Sequence, residues 1–172
     1  MGSVLRALHL VALSAWFGGN FFFTFFTALP IIRHMRQFAA DPNNWLKLRE
    51  DQATRLAGEA LTAVFDRYFL FQTVCGVVAL ATALAWAMPF KLLFYRCGLL
   101  SGATLLAVVN YWWLEPTVSR LRLERYAEAS DIAARAEAAF NYWHTLSLGC
   151  DIGTLVLAAV ALILLASASV QR

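Results

Sequence analysis

Between Phe140 and Thr154 the chain reads FNYWHTLSLGCDIGT. Asn141, His144, Ser147, Asp151 and Thr154 recur there at spacings of three, three, four and three, the repeat of one helix face. An imidazole, an amide and a carboxylate on one face can ligate a metal, relay protons or hydrogen-bond a neighbouring helix. A second set, His9, Trp16, Asn20 and Thr24, follows the same repeat near Gly18 and Gly19, small residues that let backbones approach closely. Asp66, Arg67 and Glu115 stand near the ends of two further apolar stretches.

The setting makes these residues costly. The chain has 172 residues, of which 60% are hydrophobic and 15% charged, whereas soluble domains are about 45–50% apolar and about 25% charged. Apolar stretches at about 4–32, 66–88, 92–114 and 140–168 are each long enough to cross a bilayer core, which takes roughly 20 residues. The expected fold is all-α: a polytopic membrane protein with four transmembrane helices in a bundle, as a single domain over 1–172. Helices are expected at about 4–34, 43–88, 91–115 and 118–168. The first is read as a retained helix, since its apolar run outlasts a signal-peptide core. Asp41 as N-cap and Pro42 at the first position predict that helix two starts well before the membrane. The 117–139 stretch reads as an amphipathic extension of helix four, so helices 2 and 4 carry cytoplasmic helical extensions.

Charge sets the orientation. Arg33, Arg36, Lys47, Arg49 and Arg55 cluster around one connection and Arg120, Arg122, Arg125 and Arg135 around another, against Arg6, Lys91, Arg96 and Arg172 on the opposite side. Excess Lys and Arg marks the cytoplasmic face, which places both termini outside the cytoplasm. The basic balance is thus a topology signal, and no nucleic-acid partner is expected. Cys75, Cys97 and Cys150 are scattered and read as small buried hydrophobes.

Rise per residue then assigns depth. His9 falls about a third of the way in from the outer face, Asn20 near the middle and His144 in the cytoplasmic half. Asp151 falls past the middle, close to the depth of His9, so contact between Asp151 and His9 is expected. Ionisable residues in a membrane span are functional candidates by default. His9, Asn20, Asn141, His144 and Asp151 therefore form an expected inward cluster, with Asp66, Arg67 and Glu115 as polar groups at the cytoplasmic ends. The plain alternative is helix packing: a neutral imidazole bonded across helices, and a carboxylate held protonated or paired. Asp66 and Arg67 are expected to pair at the interface, and Pro116 to end or bend helix three. His9 and His144 lie too far apart in depth to share one haem. No HExxH, GxSxG or phosphate-loop motif is present.

The segments LHLVALSAWFGGNFFFTF, GEALTAVFDRYF, NYWWLEP and FNYWHTLSLGCDIG together resemble the four-helix membrane family that contains transmembrane protein 205 and its bacterial relatives. The resemblance spans nearly the whole chain and departs at FDRYF, where a proline is expected near Asp66. It implies the fold and no catalytic residues, with a general link to tolerance of platinum drugs in animal cells. The first helix alone is similar to the HemJ-like protoporphyrinogen oxidases and the CopD-like copper-resistance proteins, which have a His early in helix one before a Trp-Phe-Gly-like stretch.

The leading expectation is a non-enzymatic integral membrane protein: an accessory subunit of a membrane complex, or a small-solute or metal-tolerance component. Its partners would be the lipid bilayer and other membrane subunits or a second copy, and its location a bacterial inner membrane. No cofactor is the leading expectation there. One alternative is a haem- or quinone-binding redox protein using His9, the ligand if haem or copper binds; another is a proton-coupled transporter using Asp151.

Overall fold

The structure is a computed structural model and describes residues 2–86, 90–127 and 130–170. Four long helices carry almost everything, and no strand occurs among the described residues. We label the spans α1 (Ser3–Ala40), α2 (Glu50–Leu84), α3 (Leu92–Glu124) and α4 (Ser130–Ser167). Each is long and apolar enough to cross a membrane. Consecutive helices pack side by side and α4 closes the ring against α1, an up-and-down four-helix bundle.

The core is built from small residues. Cys75, Gly76, Ala79 and Ala83 run along the inner stripe of α2 and meet Leu13 and Trp16 of α1, Leu100, Ala103 and Ala107 of α3, and Ala158 and Ala161 of α4. A Cβ added at Gly76 would lie 2.8 Å from Thr104 Oγ1 and 2.9 Å from Trp16 Cη2. That gap is what lets the indole reach the bundle axis. The outer faces carry many exposed apolar side chains, from Val4, Val11 and Phe22 on α1 to Ile152, Val156 and Ile163 on α4. Exposed Trp112, Trp113 and Tyr142 share one level, as interfacial aromatics do.

Beyond that belt all four helices continue toward the basic end, since a 38-residue helix is about 57 Å long against a core of about 30 Å. Val118, Leu121, Ala136 and Phe140 bury a second apolar cluster there. The Arg122 guanidinium donates to Thr62 and lies over the Phe65 ring, and Arg125 lies over Tyr126 and Phe140.

Helix boundaries differ from the sequence expectation: α1 runs to Ala40 and not to about 34, and two further boundaries move. The DPNN stretch does not start α2. Asp41 Oδ1 accepts from the Asn43 amide and the chain makes turns up to Lys47, whose φ is 50°. The helix begins at Glu50, where Gln52 Oε1 accepts from the Arg49 amide. Thr117–Glu124, expected as part of helix four, instead ends α3.

Pro116 fails to stop α3 because a π turn over Asn110–Leu114 precedes it. The same arrangement occurs in α1, with a π turn over Phe23–Ala28 and then Pro30. Proline lacks an amide hydrogen and its ring crowds the carbonyl four residues back. Widening the preceding turn relieves that clash without breaking the helix.

A buried carboxylate at the bundle centre and a separate histidine at one end

The π turn in α1 re-aims the polar residues around it. Asn20 and Thr24 both face the bundle interior, and opposite them stand Tyr68 and Gln72 of α2 and Asp151 of α4. Gln72 Nε2 donates to Asp151 Oδ1 at 2.6 Å. The Tyr68 hydroxyl donates between the two carboxylate oxygens, at 2.9 and 3.1 Å. Thr24 Oγ1 donates to Oδ2 at 3.2 Å. Asn20 Nδ2 donates to Gln72 Oε1 at 3.2 Å and to the Asp151 carbonyl at 3.4 Å, while the Trp16 indole also points at Gln72 Oε1, 3.4 Å away. Three helices thus converge on one carboxylate, across the diagonal of the bundle. Below it, Tyr68 stacks on Phe23 at 4.0 Å between ring centroids, which walls the cluster off from the basic end.

Asp151 and His9 do not meet. His9 Nδ1 lies 2.7 Å from Thr82 Oγ1, and Thr82 is ten residues, roughly 15 Å of helix, beyond Gln72. Asp151 sits level with Asn20 and Thr24, which both donate to it; it lies eleven residues, about 16 Å, from Phe140, which is the middle of a core of about 30 Å and short of the level of His9.

The inward face of α4 is also narrower than its spacing suggests. Ser147, Asp151 and Thr154 are buried, whereas Asn141 and His144 are exposed. Each three-residue step falls about 60° short of a full helical turn, so the two steps back from Ser147 carry Asn141 about 120° around the helix. His144 stacks on Phe140 with centroids 5.2 Å apart. Asp66 and Arg67 are exposed and do not bond to each other. Glu115 is not at a headgroup surface: it is 4% exposed, inside the bundle near Arg122.

Tyr68, Gln72 and Thr82 are interior positions that carry no weight in the sequence reading. Their signal is a lone amide and hydroxyls at i, i+4 and i+14 on the small-residue stripe of α2. The Asn110 side chain is another. The π turn of α3 turns it inward, where its Nδ2 donates to the Ser147 carbonyl at 3.2 Å and its Oδ1 accepts from Ser147 Oγ at 2.6 Å.

Among the described residues no group of three His, Cys, Asp or Glu side chains is placed to hold a metal ion. The fold and this interior define a multi-pass helical membrane protein with a polar cluster at its centre. A family model described as a domain of unknown function (DUF4149) matches residues 11–127, and the chain belongs to that family. No curated protein and no solved structure matches it significantly.

Proposed function

We propose that this chain is a non-enzymatic accessory subunit of a membrane complex, and that the Asp151 cluster fixes how its helices pack. The observation that carries this reading is the saturation of the carboxylate. Both oxygens of Asp151 are occupied by Tyr68, Gln72 and Thr24, from two other helices. A group so held is poised to specify the register of α1, α2 and α4, since slipping any one of these three strips donors from a charge in a medium without water. The apolar outer faces, rich in Phe on α1, suit lateral contact with other membrane subunits or a second copy. The distribution of Arg and Lys supports both termini outside the cytoplasm of a bacterial inner membrane. The quoted helix segments support kinship with the transmembrane protein 205 group within the wider family.

The test is the size of the particle extracted from native membranes in mild detergent. On native gels the tagged chain is expected to migrate above its own detergent-bound monomer, with a stoichiometric partner or a second copy. Migration as a lone monomer at every detergent tried would overturn the subunit reading.

A haem or copper group on His9 is a second reading, favoured by one feature: Nε2 of that ring has no hydrogen-bond partner. The surroundings fit a metal cation poorly, because the guanidiniums of Arg6 and Arg96 lie over the Trp86 ring beside His9. A Soret band lost in His9→Phe would establish the haem reading.

A further inference from the structure

The free nitrogen of His9 belongs to a second polar centre, distinct from the Asp151 cluster and unused by it. Thr82 has one hydroxyl hydrogen, and its Oγ1 lies 2.7 Å from the Val78 carbonyl and 3.0 Å from that of Ala79. With that hydrogen committed to the backbone, Oγ1 accepts from His9, so the neutral ring carries its hydrogen on Nδ1. Nε2 is then a bare lone pair on a side chain that is 0% exposed, with no partner. A buried acceptor left unfilled costs about 1–3 kcal/mol, which favours any ligand that brings it an O–H or N–H.

The neighbouring groups specify the rest of such a ligand. The Trp86 ring lies 6.0 Å from His9, edge to face, and its own Nε1 hydrogen is buried without an acceptor. The Arg96 guanidinium, on a residue 2% exposed, sits 4.7 Å over that indole, and the exposed Arg6 sits 5.1 Å from it. One acceptor, one indole donor and two positive charges therefore surround one ring. A metal ion satisfies the lone pair and is repelled by the guanidiniums. A fully deprotonated anion or a diester satisfies the charges and brings no hydrogen for Nε2. A hydrogen-phosphate group satisfies all three: its P–OH donates to His9, a second oxygen accepts from Trp86, and its negative charge faces Arg96 and Arg6.

We propose that His9, Trp86, Arg96 and Arg6 form a binding site for a phosphomonoester at the end of the bundle opposite the basic connections. That chemistry is shared by phosphatidic acid, whose acyl chains would lie along the apolar outer faces, and by soluble phosphate.

The test is thermal unfolding of the purified full-length protein in detergent, with three additions: inorganic phosphate, short-chain phosphatidic acid, and phosphatidylglycerol of the same chain length as the diester control. Phosphatidic acid or inorganic phosphate is expected to raise the melting temperature saturably, and phosphatidylglycerol to leave it unchanged. A response to phosphatidic acid alone assigns the site to lipid; a response to inorganic phosphate assigns it to soluble phosphomonoesters. Trp86→Phe keeps the ring and removes the donor, and His9→Phe removes the acceptor. Each is expected to weaken the apparent affinity about tenfold, the effect of roughly one hydrogen bond. Trp86→Phe, at a half-buried position, guards against misreading a folding defect in His9→Phe. No stabilisation by either phosphomonoester, equal stabilisation by phosphatidylglycerol, or unchanged affinity in both variants would each overturn the proposal.

Discussion

Asp151 sits about nine residues, or about 13 Å, along α4 from the exposed ring of Tyr142, deep enough that water does not rescue a broken hydrogen bond. Asp151→Leu leaves the Tyr68, Gln72 and Thr24 donors facing an apolar side chain, at about 1–3 kcal/mol for each donor left unpaired. The melting temperature in detergent is expected to fall steeply. Asp151→Asn retains an acceptor for Gln72 and Tyr68 and is expected to cost about 1 kcal/mol or less, in the range of single interhelical hydrogen bonds in membranes. Equal losses in the two variants would show that the charge, and not the hydrogen-bond pattern, holds the helices. The same logic explains why the histidines part company. His9 has a buried partner in Thr82, whereas His144 has a Phe140 ring and an exposed position on α4.

At the level of the helix, two features decide geometry: the small-residue stripe of α2 and the paired π turns. Gly76→Ala places a methyl against Thr104 and Trp16 at separations that real side chains do not adopt. It is expected to cost about 1–3 kcal/mol by overpacking and to shift tryptophan fluorescence as Trp16 leaves Gln72. An unchanged spectrum and melting curve would mean the backbones part freely there. Pro116 is the reason α3 widens over Asn110–Leu114, and the widened turn is what points Asn110 at Ser147. Double-mutant cycles on Asn110 and Ser147 are expected to show coupling of about 0.6–1.7 kcal/mol, and the coupling should disappear in a Pro116→Ala background. Persistence of the coupling there would detach the proline from the turn. Proline within a long apolar segment was readable as a bend or stop. That it bends by a π turn was not, because the choice depends on what the rotated side chains find opposite them.

For the molecule as a whole, the basic connections at one end and the His9 centre at the other make topology measurable. Ser3→Cys is expected to react with a membrane-impermeant maleimide on intact cells, and Asn43→Cys only after the membrane is opened. The reverse pattern would invert the orientation that the Arg distribution supports. The bundle reaches well past the membrane at its basic end, where Val118, Leu121, Ala136 and Phe140 pack under Arg122 and Arg125. That extension recruits all four helices, where helices two and four alone were expected to extend.

Four spans, their alternation and the inward-facing Asn20 and Asp151 follow from the sequence, because in hydrocarbon length, apolar content and the placement of charge leave few solutions. The partners of Asp151 were decided by the tertiary structure. Gln72 and Tyr68 lie on the small-residue stripe of α2 that turns inward, but nothing local to that helix says which group on α4 they meet. Depth failed for a related reason. Helix periodicity gives a residue's angle, but its height depends on where neighbouring helices lock together, and here Gly76, two prolines and the reach of Tyr68 and Gln72 to Asp151 set that register.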